Sequence, residues 1–298
     1  MRRLSNLNIV PAKTFFNHKL HYSTTYLLFY LVLSLFLTGC PSPQETQKKE
    51  IPPPVKPAPK PVVKKGPVYD NIIRVASLDL ATPRKFKIER EHINQLTLIL
   101  QQDSVDLFTI QNITRYPGLT TRADIIDGIT TATGMNNVFA ANNTASGRQE
   151  GNVVFSRYPV LSHDNKQYDN IQSANFESAL QAVIDCGREV VLVSTALPPK
   201  APRSDLMMCI TTLGGFHSYY VDDPLIITGN LPHDANLRAV ASYEDVKLPA
   251  GAYTPRIWYT SEKNMMKLLQ SKTVDSPVGV ISIADFGLAR KESSTHEK

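Results

Sequence analysis

An α/β (α+β) domain with helices packed against sheets is predicted for residues 67–298 by three observations. Apolar residues recur alternately at strand spacing and at helix spacing along this stretch. Two β-rich runs, Ser178 to Ile184 and Val190 to Thr195, flank Cys186-Gly187-Arg188, which suits a hairpin turn. The stretch holds 232 residues, enough for one domain with a sizeable core.

The elements follow in order. Ile72 to Asp79 reads as a strand. Ile88 to Gln102 carries Ile88, Ile93, Leu96, Ile99 and Leu100 at helical spacing. Asp106 to Gln111 is a second strand, and Ala123 to Ala132 a short helix closed near Gly134. A strand at Gly151–Ser156 precedes the hairpin, and Arg203 to Leu213 is a helix. Leu225 to Thr228 is a buried-type strand and Arg256 to Thr260 another. Ser261 is placed to cap a short helix running to Leu269, and Val278 to Ile283 is the final strand. Antiparallel strands with helices between them suggest a two-layered sheet flanked by helices.

The N-terminal 66 residues have a different character. Residues 1–39 carry Arg2, Arg3, Lys13 and Lys19 and no acid, and contain the apolar run Tyr26 to Leu37. Its 12 residues are too few to span a bilayer, which takes about 20. A basic head, a short apolar core and small residues before a cut site make a secretory signal. Leu37-Thr38-Gly39-Cys40 resembles the bacterial lipobox, which implies cleavage after Gly39 and diacylation (a palmitate-type anchor) on Cys40. The expected location is therefore the bacterial cell envelope, anchored to a membrane by lipid, with the domain outside the cytoplasm and periplasmic in a Gram-negative cell. Residues 40–66 then form a Pro/Lys-rich spacer favouring extended polyproline II.

Charge divides along the same lines. The net +5 falls to 28 basic against 27 acidic residues once residues 1–39 are removed. The spacer holds six lysines and two glutamates, which leaves 22 basic against 25 acidic residues in 67–298. The domain charge thus gives no support for nucleic acid as a partner. The expected partners are the membrane, through the lipid anchor, and an envelope protein or ligand of unknown identity. Cys186 and Cys209 remain in the exported domain, where two thiols can pair or stay buried and reduced; the sequence leaves both open.

Seven segments, in order, resemble the endonuclease/exonuclease/phosphatase superfamily, which includes DNase I-like nucleases. Gly151 to Val160 (GNVVFSRYPV) resembles its "GNAILSRYPI" segment. Ile73 to Asp79 lies where the family has "IRVATWN", and Asp106 to Asn112 where it has "DIVALQE". Val191 to Leu197 resembles "VVNTHL", Leu225 to Pro232 "IILGGDFN", and Arg256 to Tyr259 "RIDY". Asp275-Ser276-Pro277-Val278 sits where "SDHxPV" ends the domain. The resemblance implies a four-layered sandwich, two packed mixed β-sheets flanked by helices.

It also implies a chemistry whose residues are changed here. The family cleaves phosphate esters with Mg²⁺, a hard cation that takes carboxylate oxygens. The metal-binding Glu falls on Asn112, the water-orienting Asp on Asn230, and the Asn of the same motif on Pro232. The phosphate-donating His falls on Ala196, the Asp that supports a histidine on Trp258, and the terminal His on Ser276. The first motif's Asn falls on Asp79, and Asp275 alone is in a position to match. Members of a catalytic group act as a unit, so loss of one costs orders of magnitude in rate. The expectation is a catalytically degenerate domain that acts by binding or scaffolding, with no cofactor. The alternative is a divergent Mg²⁺-dependent phosphodiesterase or nuclease using Asp79, His233, Asp234 and Asp275.

Two other signals have plain readings beside them. Asp285 to Arg290 spells the DFGLAR of protein kinases without the other kinase motifs. His217 lies in an aromatic, glycine-containing run, Gly214 to Tyr220, which with Trp258 and Tyr259 suits either a binding surface or ordinary packing beneath a sheet.

Overall fold

The computed structural model describes residues 68–81, 88–117, 124–168, 178–197, 201–232, 235–239, 241–249 and 254–290. The expected signal (1–39), Cys40, the expected spacer, His233 and Asp234 lie outside them. In chain order the described elements are β1 (Tyr69–Asp79), α1 (Arg90–Gln102), β2 (Leu107–Arg115), α2 (Ile125–Thr133), β3 (Asn136–Ala145), β4 (Arg148–Ser156), β5 (Val160–Gln167), β6 (Ser178–Asp185), β7 (Glu189–Ala196), α3 (Arg203–Tyr219), β8 (Leu225–Asn230), β9 (Tyr243–Asp245), β10 (Arg256–Thr260), β11 (Met266–Ser276) and β12 (Gly279–Ala289).

The strands form two six-stranded sheets, ordered β11-β12-β1-β2-β4-β3 and β5-β6-β7-β8-β10-β9. Each sheet is mixed, with one parallel pair, β1–β2 in the first and β7–β8 in the second. Parallel neighbours need a long crossover, and α1 and α3 supply these two.

Alternation along the strands sorts the side chains into three cores. Val75, Leu107, Val154, Leu192, Ile226, Ile257 and Phe286 fill the space between the sheets. Ala76, Leu78, Phe108, Ile110 and Phe155 face outward against Ile93, Leu96 and Leu100 of α1 and Ile126 and Ile129 of α2. Val191, Val193, Ile227 and Trp258 face outward against Leu206, Cys209, Ile210 and Leu213 of α3. Burial of about 25 cal/mol for each Å² of apolar surface drives all three. The result is the four-layered sandwich.

Local signals set the helix ends. The Asp124 carboxylate accepts from the backbone N–H groups of Ile126 and Asp127 at 2.9 and 3.3 Å. Gly134, with φ +70°, closes α2 in the left-handed conformation. Helix α3 runs six residues beyond the expected Leu213. Glycine lowers helix propensity at 214 and 215, but burial of Leu213 and Phe216 on one face carries the helix past them.

One expectation is corrected and one open alternative is closed. Ser261 does not open a helix to Leu269. A single 3₁₀ turn spans Glu262–Asn264, with Lys263 and Asn264 at φ +56° and +50°, and β11 follows. Those left-handed residues end any helix, while Met266 and Leu268 turn into the core between the sheets. Cys186 and Cys209 do not form a disulfide with each other. Cys186 lies between the sheets and Cys209 on the buried side of α3, on opposite faces of the second sheet.

The segment that most resembles the family, Ser156 to Pro159, carries the chain from the first sheet to the second. Ser156 Oγ donates to the Tyr158 carbonyl at 2.9 Å, and Arg157 Nε donates to the Val105 carbonyl at 2.7 Å. Arg157 N–H donates to the Asp106 carbonyl and Asp185 N–H to that of Pro159. The DFGLAR run is the end of β12, where Asp285 accepts from Arg74 Nε and Nη2 at 2.6 and 2.7 Å and from Gln270 Nε2 at 2.5 Å.

Two measurements check this packing. The guanidinium of Arg74, then Gln270, holds the Asp285 carboxyl below the usual carboxylate range. Asp285 therefore contributes stability above its unfolded pKa and loses it as pH falls through the lower folded value. Asp285→Asn is expected to lower stability at neutral pH and to flatten its decline below about pH 4, as read by urea titration. Burial, aided by Asp106 and Asp185, pushes the Cys186 thiol up to about 12. Mass spectrometry should find Cys186 unmodified by iodoacetamide in the native protein at mildly alkaline pH and alkylated after unfolding.

Candidate functional site

The space between the sheets changes character along the strands. At the end holding the β6–β7 hairpin it is apolar. Toward the C-terminal ends of β1, β2, β7 and β8 it becomes polar, with Ser77, Thr109, Gln111, Ser194 and Thr228 all fully buried. Thr109 Oγ1 and Thr228 Oγ1 share a hydrogen bond of 2.8 Å across the sheets. Gln111 Nε2 donates across the same gap to Ser194 Oγ at 2.9 Å, and Ser77 Oγ donates to Gln111 Oε1 at 3.2 Å. Asn152 Nδ2, also buried, donates to the Ser178 carbonyl at 3.2 Å.

Above this layer sits Asp79, the last residue of β1, 1% exposed. Asn112 Nδ2 donates to its Oδ1 at 2.7 Å, and Asn230 Nδ2 donates to its Oδ2 at 2.7 Å. Ala81 N–H adds a third donor to Oδ1 at 2.9 Å. Among the described residues Asp79 has no ion-pair partner. Backbone features aim the two amides. Asn112 occupies a bulge in β2, where pairing to β4 shifts between Ile110 and Ile113, and its φ is +55°. Asparagine tolerates that left-handed conformation better than most residues. Asn230 ends β8 directly after Gly229, whose φ is +148° and whose added Cβ would lie 1.6 Å from the Thr195 carbonyl oxygen. Only glycine fits there, and it lets β8 close on β7 so that Asn230 faces inward.

The structure thus brings Asp79, Asn112 and Asn230 together. Ala196 stands beside them as the register partner of Asn230, and Leu197 N–H donates to the Asn230 carbonyl at 2.8 Å. Pro232 is buried two residues on. Ser276 closes the β11–β12 hairpin, donating to the Gly279 carbonyl at 2.6 Å. An added Cβ on Gly279 would lie 3.6 Å from the Asp79 carbonyl oxygen, so this hairpin borders the site. Asp275 is exposed on that hairpin and has no hydrogen bond to Asp79. Trp258 is not at the site. It pairs in register with Ile227 and faces the layer under α3, with the Arg256 guanidinium over its ring at 4.7 Å. His217 is also elsewhere. In the last turn of α3 its Nε2 meets Glu262 Oε2 at 3.1 Å and its ring meets Tyr243 edge-on at 5.7 Å, which is packing. Tyr259 lies between the sheets against Phe286 at 5.2 Å.

Sequence reading missed the polar layer below the site. The signal was there: small polar residues at alternate positions of strands otherwise rich in Val, Ile and Leu, which in a strand buried on both faces are out of place unless they bond across a gap.

Among the described residues Mg²⁺ would find one carboxylate here, with both oxygens already accepting amide hydrogens. Among the described residues no three His, Cys, Asp or Glu side chains group closely enough to hold a metal ion. The donor set does not fit a hard divalent cation, which takes about six oxygen ligands.

Comparison with solved structures identifies the fold as that of the endonuclease/exonuclease/phosphatase (DNase I-like) proteins. A Bacteroides thetaiotaomicron family protein aligns with TM-score 0.57 and 9% identity over 72% of this chain and 95% of its own. A Beutenbergia cavernae endonuclease/exonuclease/phosphatase aligns with TM-score 0.56 and 12% identity over 74% and 72%. Truncated TDP2 from Caenorhabditis elegans aligns with TM-score 0.53 and 11% identity over 72% and 98%. No family model and no curated protein matches the sequence.

Removing one amide leaves the buried carboxylate short of a donor. Asn230→Ala is expected to destabilise the protein by about 2–3 kcal/mol, measured by chemical denaturation, with Asn230→Ser losing less.

Proposed function

We propose that the chain is a lipid-anchored protein of the bacterial cell envelope whose DNase I-like domain has given up phosphoester chemistry and acts by binding or scaffolding. The observation that carries this reading is the clamp on Asp79. Where the family resemblance puts one amide between two carboxylates, this chain has one carboxylate, Asp79, between two amides, Asn112 and Asn230. Acid and amide have exchanged places. The exchange keeps a hydrogen-bonded link between the sheets and discards the paired negative charge that holds a metal. A partner would then meet a folded rim instead of a reaction centre.

Support for the anchor comes from the basic N-terminal segment, the short apolar run and the Leu37 to Cys40 tetrapeptide. No helix of the described residues is long and apolar enough to cross a membrane. Intact-mass measurement of the protein purified from cells should show a diacylglyceryl group on Cys40 as the first residue; an unmodified Cys40 would remove this part of the reading.

Titration calorimetry with Mg²⁺ and Mn²⁺ on the mature chain is expected to show no saturable site, and phosphodiesters, sphingomyelin and inositol phosphates to remain uncleaved. Hydrolysis that EDTA abolishes would sink the reading. The combined variant Asp79→Asn, Asn112→Glu, Asn230→Asp should gain Mn²⁺ binding, because it restores two carboxylates around one amide.

A further inference from the structure

Helix α3 covers the second sheet and turns its other side outward. A helix with one face in water usually carries charged and amide side chains there. Helix α1 does so, with Arg90, Glu91, Asn94, Gln95 and Gln101 exposed. Helix α3 does not. Its outward positions are Ser204, Met207, Met208, Thr211, Gly215 and Ser218, with Tyr219 at the end. Its ionisable side chains lie off this face or at its start: Asp205 is buried, His217 is turned to Glu262, and Arg203 opens the helix. Met207 and Met208 are 50% and 38% exposed.

The hydroxyls on this face already have partners in their own helix. Thr211 Oγ1 donates to the Met207 carbonyl at 2.9 Å, and Ser218 Oγ to the Gly214 carbonyl at 3.3 Å. Ser204 Oγ donates to Asp205 Oδ1 at 3.2 Å. Burying a hydroxyl is costly when it loses water and gains no bond. These three keep their bonds when water leaves, so the face can be covered by a surface that offers them nothing.

The order of side chains along the face says what covers it. Thr211 stands at the centre, with Met207 four residues before it and Gly215 four after, and Ser204 seven before and Ser218 seven after. A Cβ added to Gly215 would have no atom within 4 Å, so this position is an open notch. In a two-fold pair each surface meets itself, and residue i facing j implies j facing i. Two antiparallel α3 helices related by an axis at Thr211 set Thr211 against Thr211 and Ser204 level with Ser218. The methionines at 207 and 208 of each copy then close on the Gly215 notch of the other. Bulk meets gap twice, and no charge is buried.

We propose that the outer face of α3 is the contact between two copies of this chain, packed antiparallel about Thr211. At about 1.5 Å per residue the 17 residues of α3 make a short contact. It covers less than the roughly 800 Å² per partner of a standard interface, so the dimer is weak and reversible. The inference rests neither on the lipid anchor nor on the loss of chemistry at Asp79.

The test uses the mature chain carrying Cys40→Ser, so that no lipid drives association; Cys186 and Cys209 are buried. Sedimentation equilibrium should show a monomer–dimer equilibrium. Thr211→Cys should form a disulfide-linked dimer under mild oxidation, because helices about 8–10 Å apart bring facing residues on the axis within disulfide reach. Gln95→Cys, exposed on α1, should not. Gly215→Lys should weaken the dimer by at least about tenfold, since the buried lysine has no partner. Its melting temperature should not fall, because lysine favours a helix more than glycine does. Adding Met207→Glu to Gly215→Lys should restore a dimer that salt weakens, since these positions meet only between copies. A chain that stays monomeric at hundreds of micromolar, with no link through residue 211, would overturn the proposal and leave the face to a different protein. Equal cross-linking through residues 95 and 211 would overturn it too, as would a dimer that Gly215→Lys leaves intact.

Discussion

A carboxylate held almost wholly out of water is tolerated only where donors replace the hydration it has lost. At Asp79 two side-chain amides and one backbone N–H do so, and they come from different places: Asn112 from a bulge in the same sheet, Asn230 from the end of a strand in the other. The requirement to satisfy this one charge therefore fixes the separation of the two sheets at their polar end. The bulge at Asn112 and the glycine at 229 are the backbone conditions for it. Below, Thr109 with Thr228 and Gln111 with Ser194 repeat the link with neutral groups. Each such bond adds only about 1 kcal/mol, but left unmade each would expose a buried polar atom to nothing.

The segments that carry the family resemblance are bonded into this fold. The SRYP segment, the best-kept part of the resemblance, lies at the turn between the sheets, where its hydroxyl and guanidinium bond to the backbone. Gly229 is needed because β7 and β8 touch there. Both serve the fold. The residues at the other matched positions serve the fold too: Asn112 and Asn230 as donors, Ser276 as a hairpin closure. An amide in place of a carboxylate keeps size and shape and reverses the direction of the hydrogen bond, which is why Asp79 can stand opposite.

Much of this was legible in the sequence where burial leaves a periodic mark. The strands β1, β2, β7, β8 and β10, buried on both faces, and helices α1 and α2, with their apolar stripes, lie close to where spacing puts them. The edge strands were not legible. β5 is almost entirely exposed, β3 is rich in asparagine, and β11 shows only Met266 and Leu268 to the core before turning polar. An edge strand has one hydrogen-bonded neighbour and an exposed flank, so its side chains carry little of the alternation that marks an interior one. At the site, the residues that fall on family positions were readable one by one. Their mutual bonding was not, because it joins residues as much as 151 apart in sequence through a bulge and a positive φ that no local pattern announces. The inward placement of Asn230 and the outward placement of Trp258 likewise follow from strand register, which is a property of the sheet.

β1 begins at Tyr69 and finishes at Asp79, so one strand runs from the end of the domain beside the β6–β7 hairpin to the clamp. It is flanked on both sides, by β12 over nine register pairs and by β2 over five. A pull applied to the chain at Tyr69 and resisted at Asp79 passes along the axis of this strand. Its ladder hydrogen bonds then lie across the pull and must slide together instead of parting one at a time. The place of β1 between two hydrogen-bonded neighbours makes the domain stiff along that axis.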